Sequence, residues 1–490
     1  MYRPFTEPPY CLVKGSREGW ALIPQRNLRN FYGPFERGNY MTASLRRRRL
    51  LLATSLFAAL SLVLSSCSSS DDSAGGENCD AYEAYQGYDG TEVEIYSSIR
   101  SPEAEIFQES FAEFEECTGI IISWNGTAEF EAQLPVRVEG GTAPDLAVFP
   151  QPGLLKAMVA TGKMFPATSD VSANADEFYG PDWKAYGTVD GTFYAAPLGA
   201  NVKSFVWYSP KTFADNGWTI PTTWPELLAL SDKIAAEGNV QPWCVGFGSG
   251  DATGWVGTDW MEDIMLRVYD GATYDAWVNH TMPFNDPKVA AVLKEAGKVL
   301  KNAKYVGNVS AIATTTFQEG GAGIVDGSCA MHRQASFIGG ILSADYGATI
   351  VTPEDTDVEG GITTFYFPGV TADQRPALGG GEFVGAFSDR GEVGAVQLYL
   401  TSPEWNNKKA ALGGWFSANK GLDTANVADP VNKNAVDILK NATLFRFDGS
   451  DAMPAAVGAG SFWKEMTAWV AENKSDKAVL DAIEKSWPKS

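Results

Sequence analysis

Fifteen tryptophans punctuate this chain, and many stand beside glycine or polar residues instead of inside apolar runs, as in GWVGTDW, GGWF and GSFW. An indole plane gives apolar C–H groups a face to lie on, while amides, carboxylates and arginine forks supply hydrogen bonds to hydroxyls. Together the two kinds of group suit a neutral polyol ring. One such set falls at the ends of expected strands: Ser98, Arg100, Trp124, Asn125, Phe149 and Gln151. The plainer alternative makes each tryptophan a packing residue; the set as a whole favours recognition.

Bond-breaking chemistry finds less support. The chain has only His280 and His332, with no HExxH, no His/Cys cluster and no nucleophile elbow. Asp251 to Asp263 holds four acids without EF-hand spacing. Gly248-Ser249-Gly250 lacks the lysine of a phosphate loop. A secreted glycoside hydrolase would need two carboxylates flanking one bond. No short run presents such a pair, so the expectation is a binder, not an enzyme, with no cofactor and no metal. A receptor for a peptide is the third reading, and it would need a fixed charge for each terminus.

The elements that must carry these residues follow from periodicity. TEVEIYSSI reads as a strand, SPEAEIFQESFAEFEE as a helix with Phe107, Phe111 and Phe114 on one face, GIIISWNG as a strand, FEAQLPVRVEGG as a helix and DLAVFPQ as a strand. Strand–helix alternation predicts an α/β domain with a parallel sheet, whose ligands bind beyond the carboxyl ends of the strands. A second unit begins near Asn201 with the strand VKSFVWYSP. The helix of IPTTWPELLALSDKIAAEG follows, opened by a Thr223/Glu226 capping box. Residues 256–304 read as further helix, GAGIVDG and ADYGATIVTP as strands. GGGEFVGAFS reads as a strand crossing between units, and helices are expected at 389–402 and 461–485.

The start of the chain concerns export. Arg46-Arg47-Arg48-Arg49 precedes LLLATSLFAALSLVL, a basic segment and an apolar run too short for a membrane span. The run ends in Leu64-Ser65-Ser66-Cys67, which resembles a bacterial lipobox. That likeness implies a signal peptide over 41–66, lipidation of Cys67, and a flexible tether over 67–78. The alternative is an ordinary secretory signal. Residues 1–40 precede Met41, the natural start of such a signal, and are read as a misplaced start or a segment without a fold. From Cys67 onward 28 Lys/Arg face 57 Asp/Glu, a net charge near −29 that repels nucleic acid. Four further cysteines, Cys79, Cys117, Cys244 and Cys329, suit two disulfides in an exported chain. Three pairings exist; Cys79–Cys117 and Cys244–Cys329 would each stay within one unit.

GTAPDLAVFPQPGLL, VKSFVWYSPKTF, TTWPELLALSDKI, QPWCVGFGSGDATGWVGTDWMEDIMLR, CAMHRQASF and MPAAVGAGSFWKEM occur in that order. Through them, from Cys79 to about Trp487, the chain resembles the extracellular solute-binding proteins of carbohydrate ABC importers, above all the α-glucoside-binding lipoproteins. The resemblance implies an α/β, two-lobed, maltose-binding-like fold with a hinge. Its lobes would be 79–198 with 376–440, and 199–375 with 441–490. It implies a small neutral saccharide as ligand, an importer permease as partner, and a monomer anchored by lipid to the outer face of the cytoplasmic membrane. Carried over residue by residue, it points to Trp255, Asp259, Arg333 and Trp463 as ligand contacts, with Glu382, Gln151, Trp124 and Asn125 beside them. The maltose-binding pattern has a tryptophan where Cys329 or Met331 stands here, so the number of stacked rings differs. Arg333 could instead hold Asp259 or Glu382 in a structural ion pair.

Overall fold

The computed structural model describes residues 10–14, 20–24 and 79–489. The signal segment 41–66, Cys67 and the tether 67–78 lie outside the described residues. In the first part, Tyr10–Lys14 pairs antiparallel with Trp20–Pro24, Tyr10 opposite Pro24 and Lys14 opposite Trp20. The sequence had suggested no fold for 1–40. YCLVK and WALIP are both short and apolar enough to pair, although two strands alone are marginal in water.

From Cys79 onward the chain builds two sheets. The first has the order Leu444–Phe447, Pro376–Ala386, Leu146–Phe149, Glu92–Ser97, Ile121–Gly126, with Ala195–Val202 paired to Pro376–Ala386. Glu92–Ser97 is parallel to both of its neighbours, as strand–helix alternation predicts. Pro376–Ala386 runs antiparallel to Leu146–Phe149, because it arrives from the other sheet and enters from the opposite end. The second sheet has the order Gln241–Trp243, Cys329–Arg333, Phe205–Tyr208, Gly361–Tyr366, Thr349–Ile350.

Local sequence accounts for most elements. The helix Trp224–Glu237 opens with the expected capping box: Glu226 N–H donates to Thr223 Oγ1 at 3.3 Å and Thr223 N–H to Glu226 Oε2 at 3.0 Å. It ends at Gly238, whose φ of 72° suits glycine. Leu227, Leu230 and Ile234 are buried in the core of the second sheet. Phe107, Phe111 and Phe114 are buried too, but their segment is two helices, Glu103–Glu109 and Ala112–Thr118. The break is at Ser110, whose hydroxyl donates back to Phe107 O at 2.6 Å and accepts from Trp405 Nε1 at 3.0 Å. GAGIVDG is not a strand: it holds the helical turn Gly323–Asp326, and the strand starts at Cys329. The run 256–304 holds three main helices, Trp255–Val268, Gly271–Val278 and Pro287–Leu300.

The chain passes between the sheets three times. Ala195–Val202 leads to Phe205–Tyr208 through Lys203 and Ser204, Gly361–Tyr366 returns to Pro376–Ala386, and Leu444–Phe447 leads to the final helices. The range 441–490, read as second lobe, therefore needs correction at its start. Leu444–Phe447 pairs parallel with Pro376–Gly379 of the first sheet, although Leu444 already packs against the second core, which Met453, Val457 and Phe462 then join. Both disulfides form as the preferred pairing had it, Cys79–Cys117 against the first sheet and Cys244–Cys329 in the second. Among the described residues no helix is long and apolar enough to cross a membrane.

Candidate functional site: a cleft between the two sheets

A cleft of about 1150 Å³, its open mouth included, lies where the strand ends of the first sheet face the helices of the second. Strand Glu92–Ser97 delivers Ser98 and Arg100, and Leu146–Phe149 delivers Gln151, at the carboxyl ends where an α/β sheet places ligands. The second sheet contributes Trp255 at the start of its helix, Phe317, Phe337, Asp451 and Trp463. Trp255 packs edge-on to Phe317, ring centroids 5.3 Å apart. Gly254, at φ 116°, ties Trp255 to Trp463: a Cβ there would lie 2.1 Å from Trp463 O, so only glycine lets the two segments meet.

Polar groups converge between these rings. Gln151 Nε2 donates to Glu131 Oε1 at 3.0 Å, which leaves Gln151 Oε1 and Glu131 Oε2 without partners. Asn201 Oδ1, Trp415 Nε1 and Trp463 Nε1, all lining the cleft, are also unpartnered among the described residues. Buried polar atoms are normally satisfied, so a group of them around one opening marks where a polar ligand completes the set. Burial pushes the carboxyls of Glu382 and Glu103 up to about 7, and raises that of Glu131. Burial also lowers the nearby Lys409 ammonium to about 8, against the pull of Glu103 and Glu382.

Four of the eight residues expected at the ligand line this cleft: Trp255, Trp463, Gln151 and Glu382. The other four do not. Arg333 is fully buried, with Nη2 2.8 Å from Asp263 Oδ2 and Nη1 3.2 Å from Asp259 Oδ2. It is the structural ion pair raised as its alternative, with Asp259 as partner and not Glu382. Asp259 is equally buried, held between Arg333 and Lys203, whose Nζ is 3.0 Å from Asp259 Oδ1. Burial, only partly offset by these cations, pushes the Asp259 carboxyl up to about 7. Trp124 stacks on Phe107 at 4.7 Å and donates from Nε1 to Ile99 O at 2.9 Å, so it backs the wall from behind. Asn125 is exposed and donates to Glu94 Oε1 at 2.9 Å, away from the cleft. Both fail because strand Ile121–Gly126 is the edge of its sheet. Just before Glu382, a Cβ on Gly381 would lie 2.4 Å from Gly199 O, so glycine there lets the strands Pro376–Ala386 and Ala195–Val202 pack closely.

Lys203, Asp451, Asn201, Glu103, Glu131 and Trp415, with Phe317 and Phe337, are among the cleft residues that sequence reasoning missed. Lys203 had one usable signal, as a lysine inside an apolar strand pair. Asp259, Glu262 and Asp448 bring carboxylate oxygens within 4.8 Å of one another, and Lys203 supplies the cation between Asp259 and Asp448.

Residues 100–387 match the family model described as bacterial extracellular solute-binding protein. The chain belongs to that family. It is 37% identical over 442 residues to the osmoprotective compounds-binding protein GgtB of Synechocystis sp., covering 89% of this chain and 99% of that one. It is 35% identical over 420 residues to the alpha-glucosides-binding periplasmic protein AglE of Rhizobium meliloti, covering 83% and 89%. Its fold matches that of maltose-bound T. maritima MalE3 with a TM-score of 0.63 at 16% identity, over 81% of this chain and 98% of that one. The fold is thus maltose-binding-like, as expected, and these relatives of an exported family are binding proteins by name. Within this solute-binding protein, the cleft between the sheets is the candidate ligand site.

Proposed function

We propose that this protein is the receptor of a carbohydrate ABC importer, anchored by lipid at Cys67. It binds a neutral α-glucoside between its two sheets and delivers it to a permease in the membrane. The observation that carries this reading is the cleft itself: Trp255 and Trp463 beside unpartnered Gln151 Oε1, Asn201 Oδ1 and Trp415 Nε1. Rings take the C–H faces of a pyranose, and amide oxygens and indole N–H groups take its hydroxyls. The name of AglE, whose carrier shares 35% of aligned residues with this chain, agrees with an α-glucoside ligand. The name of GgtB widens the set to osmoprotective compounds. Because ligand contacts come from both sides, binding favours the closed arrangement by its differential affinity.

Calorimetric titration with maltose, trehalose, sucrose and glucose tests the reading. Saturable one-to-one binding of at least one α-glucoside is expected, and a panel without binding would refute it. The hydrolase reading draws on Glu103 and Glu382, two carboxyls pushed up to about 7 in one cleft. Release of nitrophenol from nitrophenyl α-glucoside by purified protein would favour that reading over transport.

A further inference from the structure

The three passages between the sheets are joined at Lys203. Its backbone N–H donates to Leu378 O at 2.8 Å on the second passage, while on the third the Asp448 N–H donates to Gly379 O at 2.8 Å. Lys203 Nζ is hydrogen-bonded to Asp448 Oδ2 and lies 3.0 Å from Asp259 Oδ1. An ammonium carries three N–H donors, so one remains. The next group is Asp451 Oδ2 at 3.9 Å, too far for a direct hydrogen bond. Among the described residues no donor reaches the Asp451 carboxylate at hydrogen-bond distance, although its own backbone N–H is held by Asp448 Oδ1 at 2.8 Å. Lys203 and Asp451 are both more than nine-tenths buried, yet both line the cleft, and Lys203 Nζ stands 5.4 Å from the centre of the Trp255 ring. Asn201 Oδ1, also nine-tenths buried and without a partner, opens into the same cleft two residues before Lys203.

Resting on the α-glucoside reading, we propose that Lys203 and Asp451 form a specificity pair that reads one free hydroxyl of the ligand beside the Trp255 face. A hydroxyl is both acceptor and donor. Its oxygen takes the third N–H of Lys203 and its proton goes to Asp451 Oδ2, which fills the 3.9 Å gap with two ordinary hydrogen bonds. An ether oxygen at that position could accept but not donate. A carboxylate or phosphate would meet Asp451, with Asp259 and Asp448 close behind. The pair therefore selects a neutral sugar with that hydroxyl unsubstituted. It also ties ligand to hinge: Lys203 belongs to the first passage, and Asp451 to the helical turn Gly449–Ala452 after the third.

The test titrates the full chain and its Asp451→Asn variant with maltose, with trehalose and with the monodeoxy analogues of each. One analogue is expected to bind the unmodified protein about tenfold or more weakly than its parent, the scale of a hydrogen bond to a charged group. Asp451→Asn should weaken the parent sugar similarly, yet weaken that one analogue by no more than about twofold, because groups that interact are not additive. Additive losses for every analogue, or an unchanged affinity of Asp451→Asn for the parent, would overturn the pair while the glucoside reading stands. Failure of maltose, trehalose, sucrose and glucose alike to bind the unmodified protein would overturn both. Lys203→Gln strips a buried cation from Asp259 and Asp448, so the deoxy analogues on unmodified protein carry the decision should that variant not fold.

Discussion

Replacing Arg333 by methionine removes the guanidinium while keeping much of the apolar stem, and it separates a structural cation from a ligand contact. Arg333, Asp259 and Asp263 are fully buried, with ion-pair distances of 2.8 and 3.2 Å. Removing one partner of a buried pair costs about 3–5 kcal/mol, because it leaves an uncompensated charge. Here Asp263 keeps Arg267 and Asp259 keeps Lys203, so the loss should fall near the low end, about 3 kcal/mol. With an unfolding entropy of about 2.1 cal/mol/K per residue over roughly 410 residues, that lowers Tm by about 3–4 °C. The sign of its pH dependence follows from Asp259, already pushed up to about 7. Losing Arg333 raises it further. A carboxyl with a raised pKa contributes stability at low pH that is lost as pH rises through its folded value. The deficit of the variant should therefore be larger at pH 8 than at pH 5. Calorimetric melts at both values, with sugar titration alongside, make the assay. A variant as stable as the parent at pH 8 but unable to bind sugar would refute the ion-pair account and restore Arg333 as a contact.

Trp255→Ala, at a half-buried ring on the cleft wall, should weaken the best-bound disaccharide by about tenfold or more with little change in Tm; unchanged affinity by calorimetry would remove Trp255 from the site. Glu382, pushed up to about 7 from 4.5 by burial, favours folding at pH 4.5 and below and loses that contribution as pH climbs through 7. Glu382→Gln should flatten the stability profile between pH 4.5 and 7 and be the more stable protein at pH 8, as urea titrations across that window would show. Gly340, in the helix Ile338–Tyr346, leaves only 3.4 Å between an added Cβ and Gly414 Cα, next to Trp415. Gly340→Leu should wedge that contact open, raising the radius of gyration in solution scattering with saturating sugar; an unchanged radius would show that the contact does not govern closure.

Local signals carried far in this chain. Phe107, Phe111 and Phe114 at helical spacing announced a buried face, Thr223 and Glu226 announced a helix start, and GGGEFVGAFS announced the strand that joins the two sheets. Trp463 and Trp255 were reached through the resemblance to maltose-binding relatives, and both line the cleft. Asp259 and Arg333 were expected at the ligand but are buried in an ion pair with each other and do not line the cleft, since an acid near a tryptophan and an arginine on a strand look the same in sequence whether they face a ligand or each other. Trp124 and Asn125 were misplaced because strand order in the sheet, not position along the chain, decides which carboxyl ends border the cleft.

By itself, the sequence determined the α/β alternation, the strand joining two units, the cysteines suited to two disulfides and the aromatic character of the cleft, because each is written in residue types a few positions apart. Tertiary structure alone decided which charges are consumed internally. Lys203 meets Asp448, 245 residues away, and Arg333 meets Asp263, 70 residues before it. A side chain's role at a cleft depends on what already neutralises it, and those partners come together only when three distant passages of the chain meet at one hinge.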